Sequence, residues 1–345
     1  MTHKNVEFGI DSFADISNDA QGNPVAPGQV VRNVVEEAVL ADEVGVDYLG
    51  LGEHHRSDYA ISSPDMVLAN IAGRTTNLRL SSSVTVLSSD DPVRLWERYA
   101  TLAALSNGRA EIIVGRGSFT ESFPLFGFSL DDYGSLFEEK LDLLDKLRTQ
   151  QPVTWEGTFT QSLNDVTLHP ELESDDPLPM WVAVGGNPES AIRAARHGLP
   201  VIVAVLNGPH ARFAPIADRY RQSLAEFGKP GLPVGFQSSG FIAETDDEAK
   251  EQFFEPWRDY MTKLGRERGW MAPSRAQFEL EIAQGSLFVG SPESVAGKLA
   301  KVIELLDAGR VTIRVSTGVL SHELIMKSIE LYGTQVIPRV RELLG

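Results

Sequence analysis

The stretch Asp47-Tyr48-Leu49-Gly50-Leu51-Gly52-Glu53-His54-His55-Arg56 passes from a short apolar strand into a densely polar loop. Residues 29–43, just upstream, repeat apolar positions at helical spacing, so an amphipathic helix feeds that strand. Two imidazoles, a carboxylate and a guanidinium are costly to pack where a buried strand stops, unless a ligand meets them there. Histidine is also the side chain best poised to exchange protons near neutral pH. The stretch reads as the rim of an active site.

Outward from it the same strand-and-helix unit recurs. Strand patterns fall at 6–10, 47–51, 78–87, 111–115, 180–184, 200–206, 234–243 and 311–315. Helical patterns fill the intervals at 29–43, 64–74, 92–105, 136–147, 188–197 and 215–227, with a terminal helix at 322–344. Eight strands alternating with helices predict a (β/α)8 TIM barrel. A doubly wound sheet is the competing arrangement; the barrel is preferred because no composition break or linker divides the chain. The chain is therefore read as a single domain, 1–345. Residues 153–155 and 158–160, joined by Glu156-Gly157, are expected to form a side hairpin.

One interval is longer than a barrel needs. Residues 244–290 hold helices expected at 247–264 and 273–282, with Trp257, Tyr260, Trp270 and Phe278 among them. Such an insertion serves either as a lid or substrate wall, or as a surface elaboration with its own small core.

Composition narrows the chemistry. The 345 residues are 42% hydrophobic and 23% charged, as in an ordinary globular protein with ample core. The absence of cysteine excludes disulfides, thiolate metal sites and a cysteine nucleophile. A formal net charge of −17 argues against nucleic acid and anionic membrane as partners. No apolar run approaches the ~20 residues of a membrane span, and no signal-like segment opens the chain. A cytoplasmic location is expected.

In a barrel, ligands bind where strands end and the following loops begin. Three polar clusters share that face: 53–56, then Gly115-Arg116-Gly117-Ser118-Phe119, then Gly185-Gly186-Asn187-Pro188-Glu189-Ser190. In the third, two glycines allow close backbone approach, Asn187 suits the N-cap, and Pro188 suits the first helical turn. A helix N-terminus with a serine hydroxyl can take phosphate, and Arg116, on the neighbouring strand, would complete a clamp. The alternative is plain helix capping, which is how the similar Gly290-Ser291-Pro292-Glu293-Ser294 is read. His54 and His55 could instead bind metal or serve structural hydrogen bonds. Adjacent strand residues point oppositely, however, whereas a metal pair favours His-x-His spacing.

The order and spacing of several segments resemble one family. Gly52-Glu53-His54-His55 leads to Asp65, then to Asp91-Pro92-Val93-Arg94 and Leu105-Ser106-Asn107-Gly108-Arg109. Gly115-Arg116-Gly117, Phe126-Gly127, the 185–190 cluster, Gly198-Leu199-Pro200, Gly290-Ser291-Pro292-Glu293 and Ile337-Pro338-Arg339 follow. The ensemble is similar to the bacterial luciferase-like, flavin-dependent monooxygenases and covers nearly the whole chain.

The resemblance implies a barrel that binds reduced FMN (FMNH2), supplied by a separate NAD(P)H:flavin reductase. It implies reaction of that flavin with O2 to a C4a-peroxyflavin, which oxidises a small organic substrate. Carried onto this chain, it makes His54 the catalytic histidine and places Arg116, Gly186, Asn187 and Ser190 around the FMN phosphate. It places Ser83-Val84 where the family often has a non-prolyl cis peptide beneath the isoalloxazine. A homodimer through the helices after strands two and three is also implied. The chain departs from luciferase at Gly115, Phe119 and Ser122, where cysteine, tyrosine and an acid would stand, so light emission is not implied. Glu121 is a candidate for the missing acid in a shifted register. A deazaflavin (F420)-dependent oxidoreductase and a non-catalytic flavin-binding protein are the competing functions.

Overall fold

The computed structural model describes residues 5–19, 21–117, 119–229 and 231–345. Short runs rich in β-branched residues form strands, and the amphipathic runs between them form helices. The first half contains β1 (Glu7–Ser12), α1 (Pro27–Glu43), β2 (Tyr48–Leu51), α2 (Pro64–Ala72), β3 (Arg79–Ser82), β4 (Thr85–Val86) and α3 (Pro92–Leu105). After these come β5 (Ala110–Gly115), α4 (Ser122–Phe126), α5 (Tyr133–Thr149), β6 (Val153–Trp155) and β7 (Leu163–Val166). The second half begins with β8 (Met180–Val184), α6 (Pro188–His197), β9 (Val201–Ala204), α7 (Ala214–Glu226) and β10 (Val234–Ile242). It continues with α8 (Asp246–Arg268), α9 (Arg275–Ala283), β11 (Phe288–Gly290), α10 (Pro292–Leu306) and β12 (Arg310–Arg314). Helices α11 (His322–Leu331) and α12 (Ile337–Leu344) end the chain, joined by a wider π-helical turn, Tyr332–Val336.

Strands β1, β2, β3, β5, β8, β9, β10 and β12 pair in parallel, each with the next, and β12 returns to β1. The sheet is thus a closed eight-stranded parallel barrel with helices outside, as expected. The register is direct: Gly9 of β1 lies opposite Tyr48 on one side and Thr312 on the other.

The N-terminal ends of the strands are closed by buried charge and aromatic rings. Arg310, 1% exposed, gives both Nη atoms to the Glu111 carboxylate at 2.6 and 2.9 Å and its Nε to Glu7 at 2.7 Å. Its guanidinium lies 4.4 Å from the Tyr48 ring centroid and 4.0 Å from that of Trp181. Trp181 Nε1 also donates to Glu111, at 3.1 Å. A buried charge is tolerable when its bonds are bidentate and its partners are themselves satisfied, as here. With this end sealed, the C-terminal strand ends are left for a ligand.

The local differences from the sequence reading have identifiable causes. The side hairpin pairs 153–155 with Leu163–Val166, not with 158–160. Glu139 on α5 takes the backbone N–H groups of Thr158, Phe159 and Thr160, each at 2.8 Å, which removes them from any ladder. The third strand is not continuous over 78–87: it stops at Ser82 and resumes at Thr85. Short β11 adds beside β10 and was not anticipated. In the 244–290 insertion, Phe253, Phe254, Trp257 and Phe278 pack ring against ring between α8 and α9, while Trp270 is 42% exposed.

Candidate active site

The loop after β2 is pinned where it leaves the barrel, the His54 N–H bonding the Ile61 carbonyl at 3.1 Å. The His54 ring stacks on Tyr59 with centroids 4.2 Å apart. Phe119 meets it edge-on at 5.1 Å and Phe13 tilts against it at 5.3 Å. Its Nδ1 lies 3.2 Å from a carboxylate oxygen of Glu121. His55 pairs instead with Glu53, Nε2 to Oε1 at 2.9 Å. That bond raises the His55 imidazole above its usual value, although burial opposes it. Glu53 also accepts the Val86 N–H at 3.2 Å, tying this loop to β4. The two histidines therefore bond different carboxylates, and the described residues hold no cluster of three metal-ligating side chains.

Between β3 and β4 the Ser83-Val84 peptide is cis. The adjoining strands carry glycine where this segment presses on them. A Cβ on Gly50 would sit 2.7 Å from the Ser83 Cβ, and one on Gly115 would sit 2.8 Å from a Val84 methyl. Beneath it, Ser83 Oγ donates to Asp11 at 2.7 Å, and the Gln237 amide reaches the same carboxyl group at 3.5 Å.

Asp11 is fully buried, and burial pushes its carboxyl up to about 6 despite these bonds. A carboxyl raised in the folded state binds its proton more tightly folded than unfolded. Its contribution to stability is thus complete below about pH 4, its unfolded value, and is lost as pH rises through about 6. Urea unfolding of the wild type is expected to lose stability across that window relative to Asp11→Asn, which cannot ionise. Parallel stability curves for the two proteins would contradict this.

Arg116, just past β5, donates from Nη2 to Ser190 Oγ at 3.1 Å, joining the loop after β5 to the start of α6. Its guanidinium lies 5.3 Å from the Tyr133 ring centroid, and the Tyr133 hydroxyl donates to the Gly117 carbonyl at 2.8 Å. Asn187 caps α6: its side chain takes the Glu189 N–H at 2.9 Å and its carbonyl the Ser190 N–H at 3.2 Å. Capping is thus real, and two of the N–H groups expected to face a phosphate are already engaged. The positive end of the helix dipole and the guanidinium remain. A Cβ on Gly185 or Gly186 would meet nothing within 4 Å, so the space before this backbone is open.

His54, Ser83, Val84, Arg116 and Ser190 line one cavity of about 340 Å³ at the C-terminal strand ends. Around the barrel they follow β2, β3, β5 and β8, which are consecutive neighbours. Gly186 and Asn187 do not line it; they stand exposed beside it. Ser118 lies outside the described residues. Much of the remaining wall is apolar, with Phe13, Val86, Ile113, Phe119 and Ile202. Tyr133 and Gln237 also line it, and the sequence reading missed both. Neither sits in a motif: Tyr133 begins an amphipathic helix, and Gln237 lies mid-strand among residues that read as core. No described lining residue comes from 244–290. The insertion touches the site's edge, where Glu267 of α8 bonds Arg56 at 2.5 Å.

This donor set fits a flavin nucleotide: a guanidinium, a serine hydroxyl and a helix N-terminus for a phosphate, beside an apolar, aromatic-walled hollow for a ring system. A sequence model of the luciferase-like monooxygenases matches residues 6–308. The 4-hydroxyprotoasukamycin monooxygenase of Streptomyces nodosus subsp. asukaensis is 25% identical over 327 residues, 91% of this chain and 88% of that one. Monooxygenase RslO1 from Streptomyces bottropensis superposes with a TM-score of 0.84 at 23% identity, covering 96% of this chain and 99% of its own. The oxygenating constituent of 3,6-diketocamphane monooxygenase from Pseudomonas putida, in complex with FMN, gives 0.78 at 19% identity, covering 97% and 98%. The F420-dependent tetrahydromethanopterin reductase of Methanopyrus kandleri gives 0.74 at 18% identity, covering 97% and 99%.

Proposed function

The chain belongs to the luciferase-like monooxygenase family, and from that premise we propose that it is an FMN-dependent monooxygenase acting on a small, largely apolar organic substrate. A separate NAD(P)H:flavin reductase would supply the FMNH2. When bound, reduced FMN supplies the electrons that activate O2, so that one oxygen atom enters the substrate and the other leaves as water.

The observation that carries this reading is the single cavity joining the Arg116–Ser190 pair to His54 across the Ser83-Val84 segment. In it, Arg116, Ser190 and the start of α6 bind the phosphate, and Gly186 and Asn187 border it at the rim. Ser83 and Val84 support the ring, while Phe13 and Phe119 keep water from its face. His54 holds or accepts a proton at its ring nitrogen as the reaction proceeds. The insertion acts from outside the cavity, bracing the His54 loop through Glu267 and Arg56.

The second reading is an F420-dependent oxidoreductase, favoured by the likeness in fold to the coenzyme F420-dependent tetrahydromethanopterin reductase of Methanopyrus kandleri. Anaerobic titration with FMNH2 and with reduced F420, followed by air and a substrate panel, separates the two. The proposal expects FMNH2 binding and O2-dependent product carrying one added oxygen. Turnover with F420 and no O2 consumption would replace it, and FMNH2 binding with only uncoupled oxidation would mark a passive binder. A homodimer through α2 and α3 accords with their exposed Met66 and Leu105, 70% and 58% accessible. Sedimentation is expected to give twice the chain mass; a monomer would count against it.

A further inference from the structure

We propose that Glu121 is a positioning residue: its carboxylate fixes the orientation and tautomer of His54, and it acts on the reaction only through that ring. This rests on the reading of His54 as the proton-handling group. An ionised carboxylate can only accept, so across the 3.2 Å contact the hydrogen belongs to Nδ1 of His54. In the neutral ring the lone pair is then on Nε2, for which no described residue supplies a hydrogen-bond partner. A ring held this way offers an acceptor to whatever occupies the cavity.

The Glu121 carboxyl keeps its charge: burial pushes it up, but the bond from His54 and further hydrogen bonds outweigh burial and hold it below the ordinary carboxylate range. Its other oxygen is buried with no hydrogen-bond partner among the described residues, and His54 is the only described side chain that bonds this carboxylate. The described rings packed on it, Tyr59, Phe119 and Phe13, present carbon surfaces. They locate the plane but cannot choose which nitrogen is protonated. Burial raises the Tyr59 hydroxyl, which stays neutral. The other charged groups at the cavity are engaged elsewhere: Glu53 with His55, and Arg116 with Ser190. Among the described residues, Glu121 alone bonds the ring.

Its support is rigid as well. Phe123, two residues on, is fully buried and stacks on Tyr133 at 5.5 Å. Tyr133 in turn bonds Gly117 and faces Arg116, so the segment carrying Glu121 is fastened to the same wall that holds the proposed phosphate site.

Two measurements test this. The first is 15N NMR of the histidine rings in the flavin-free protein, with the His54 signals identified by their loss in His54→Ala. Wild type is expected to show one neutral tautomer, protonated at Nδ1, and Glu121→Ala a mixture; an unchanged tautomer would overturn the proposal. The second is a cycle of Glu121→Ala, His54→Ala and the double variant, with Glu121→Gln run beside it to preserve shape. Glu121→Ala is expected to lower coupled oxygenation about tenfold or more, with FMN affinity unchanged, and the double variant to match His54→Ala. Losses that multiply in the double variant would overturn it too. If His54→Ala itself has no effect, the reading of His54 fails, while the tautomer measurement still decides what Glu121 does.

Discussion

His54→Ala is expected to bind FMN with near wild-type affinity while productive oxygenation falls by about 10²–10⁴-fold, the usual span for a positioned proton-transfer group. The affinity is expected to survive because His54 makes no hydrogen bond to Arg116, Ser190 or Ser83; its bond runs to Glu121 and its ring packs on Tyr59. Its packing does not predict collapse either, since the loop is held independently by the His54 backbone bond to Ile61 and by Glu53 reaching Val86. The loss should therefore be in kcat for coupled product, with O2 consumption continuing as uncoupled flavin oxidation. Full activity in His54→Ala would remove this residue from the mechanism.

The second large effect is on the cofactor. Arg116→Ala is expected to weaken FMN binding by about 1.5–3 kcal/mol, the range for hydrogen bonds to a charged group, or roughly tenfold to a hundredfold in Kd. Riboflavin, which lacks the phosphate, should lose far less, and that comparison assigns the effect to the phosphate end. Arg116→Lys is not a rescue, because a lysine keeps the charge but loses the planar fork that addresses both a phosphate and Ser190. Equal losses for FMN and riboflavin would place Arg116 elsewhere on the ligand, and no loss for either would remove it from the site.

The parts of the molecule legible in sequence are those specified locally. Helix starts were clear where proline or a capping side chain marks them, as at Pro92 behind Asp91 and Pro188 behind Asn187, and both caps form. The same logic applies to Ser291, whose hydroxyl caps α10. Strand ends were clear because apolar runs stop abruptly at polar, glycine-rich loops, and this brought His54, Arg116 and Ser190 to one cavity. What sequence concealed was decided at a distance. Glu139 captures three N–H groups of the 158–160 segment from another element, so a plausible two-residue turn does not form. Asp11 and Tyr133 fall just outside the strand read at 6–10 and the helix read at 136–147, Gln237 reads as an ordinary strand position, and barrel closure places them under or beside the cavity. The aromatic insertion reads as a lid or, nearly as well, as a satellite core; its rings pack on each other, and it borders the site from outside, through the Glu267–Arg56 bond and through Tyr260 near Tyr59 and Phe119.

The most direct test of the central claim is a crystal structure of the protein with FMN. The account predicts the phosphate within hydrogen-bond reach of Arg116 and Ser190 at the start of α6, with the isoalloxazine against Ser83-Val84 and one edge toward His54. A flavin bound elsewhere, or a phosphate that leaves the Arg116–Ser190 pair unengaged, would contradict it.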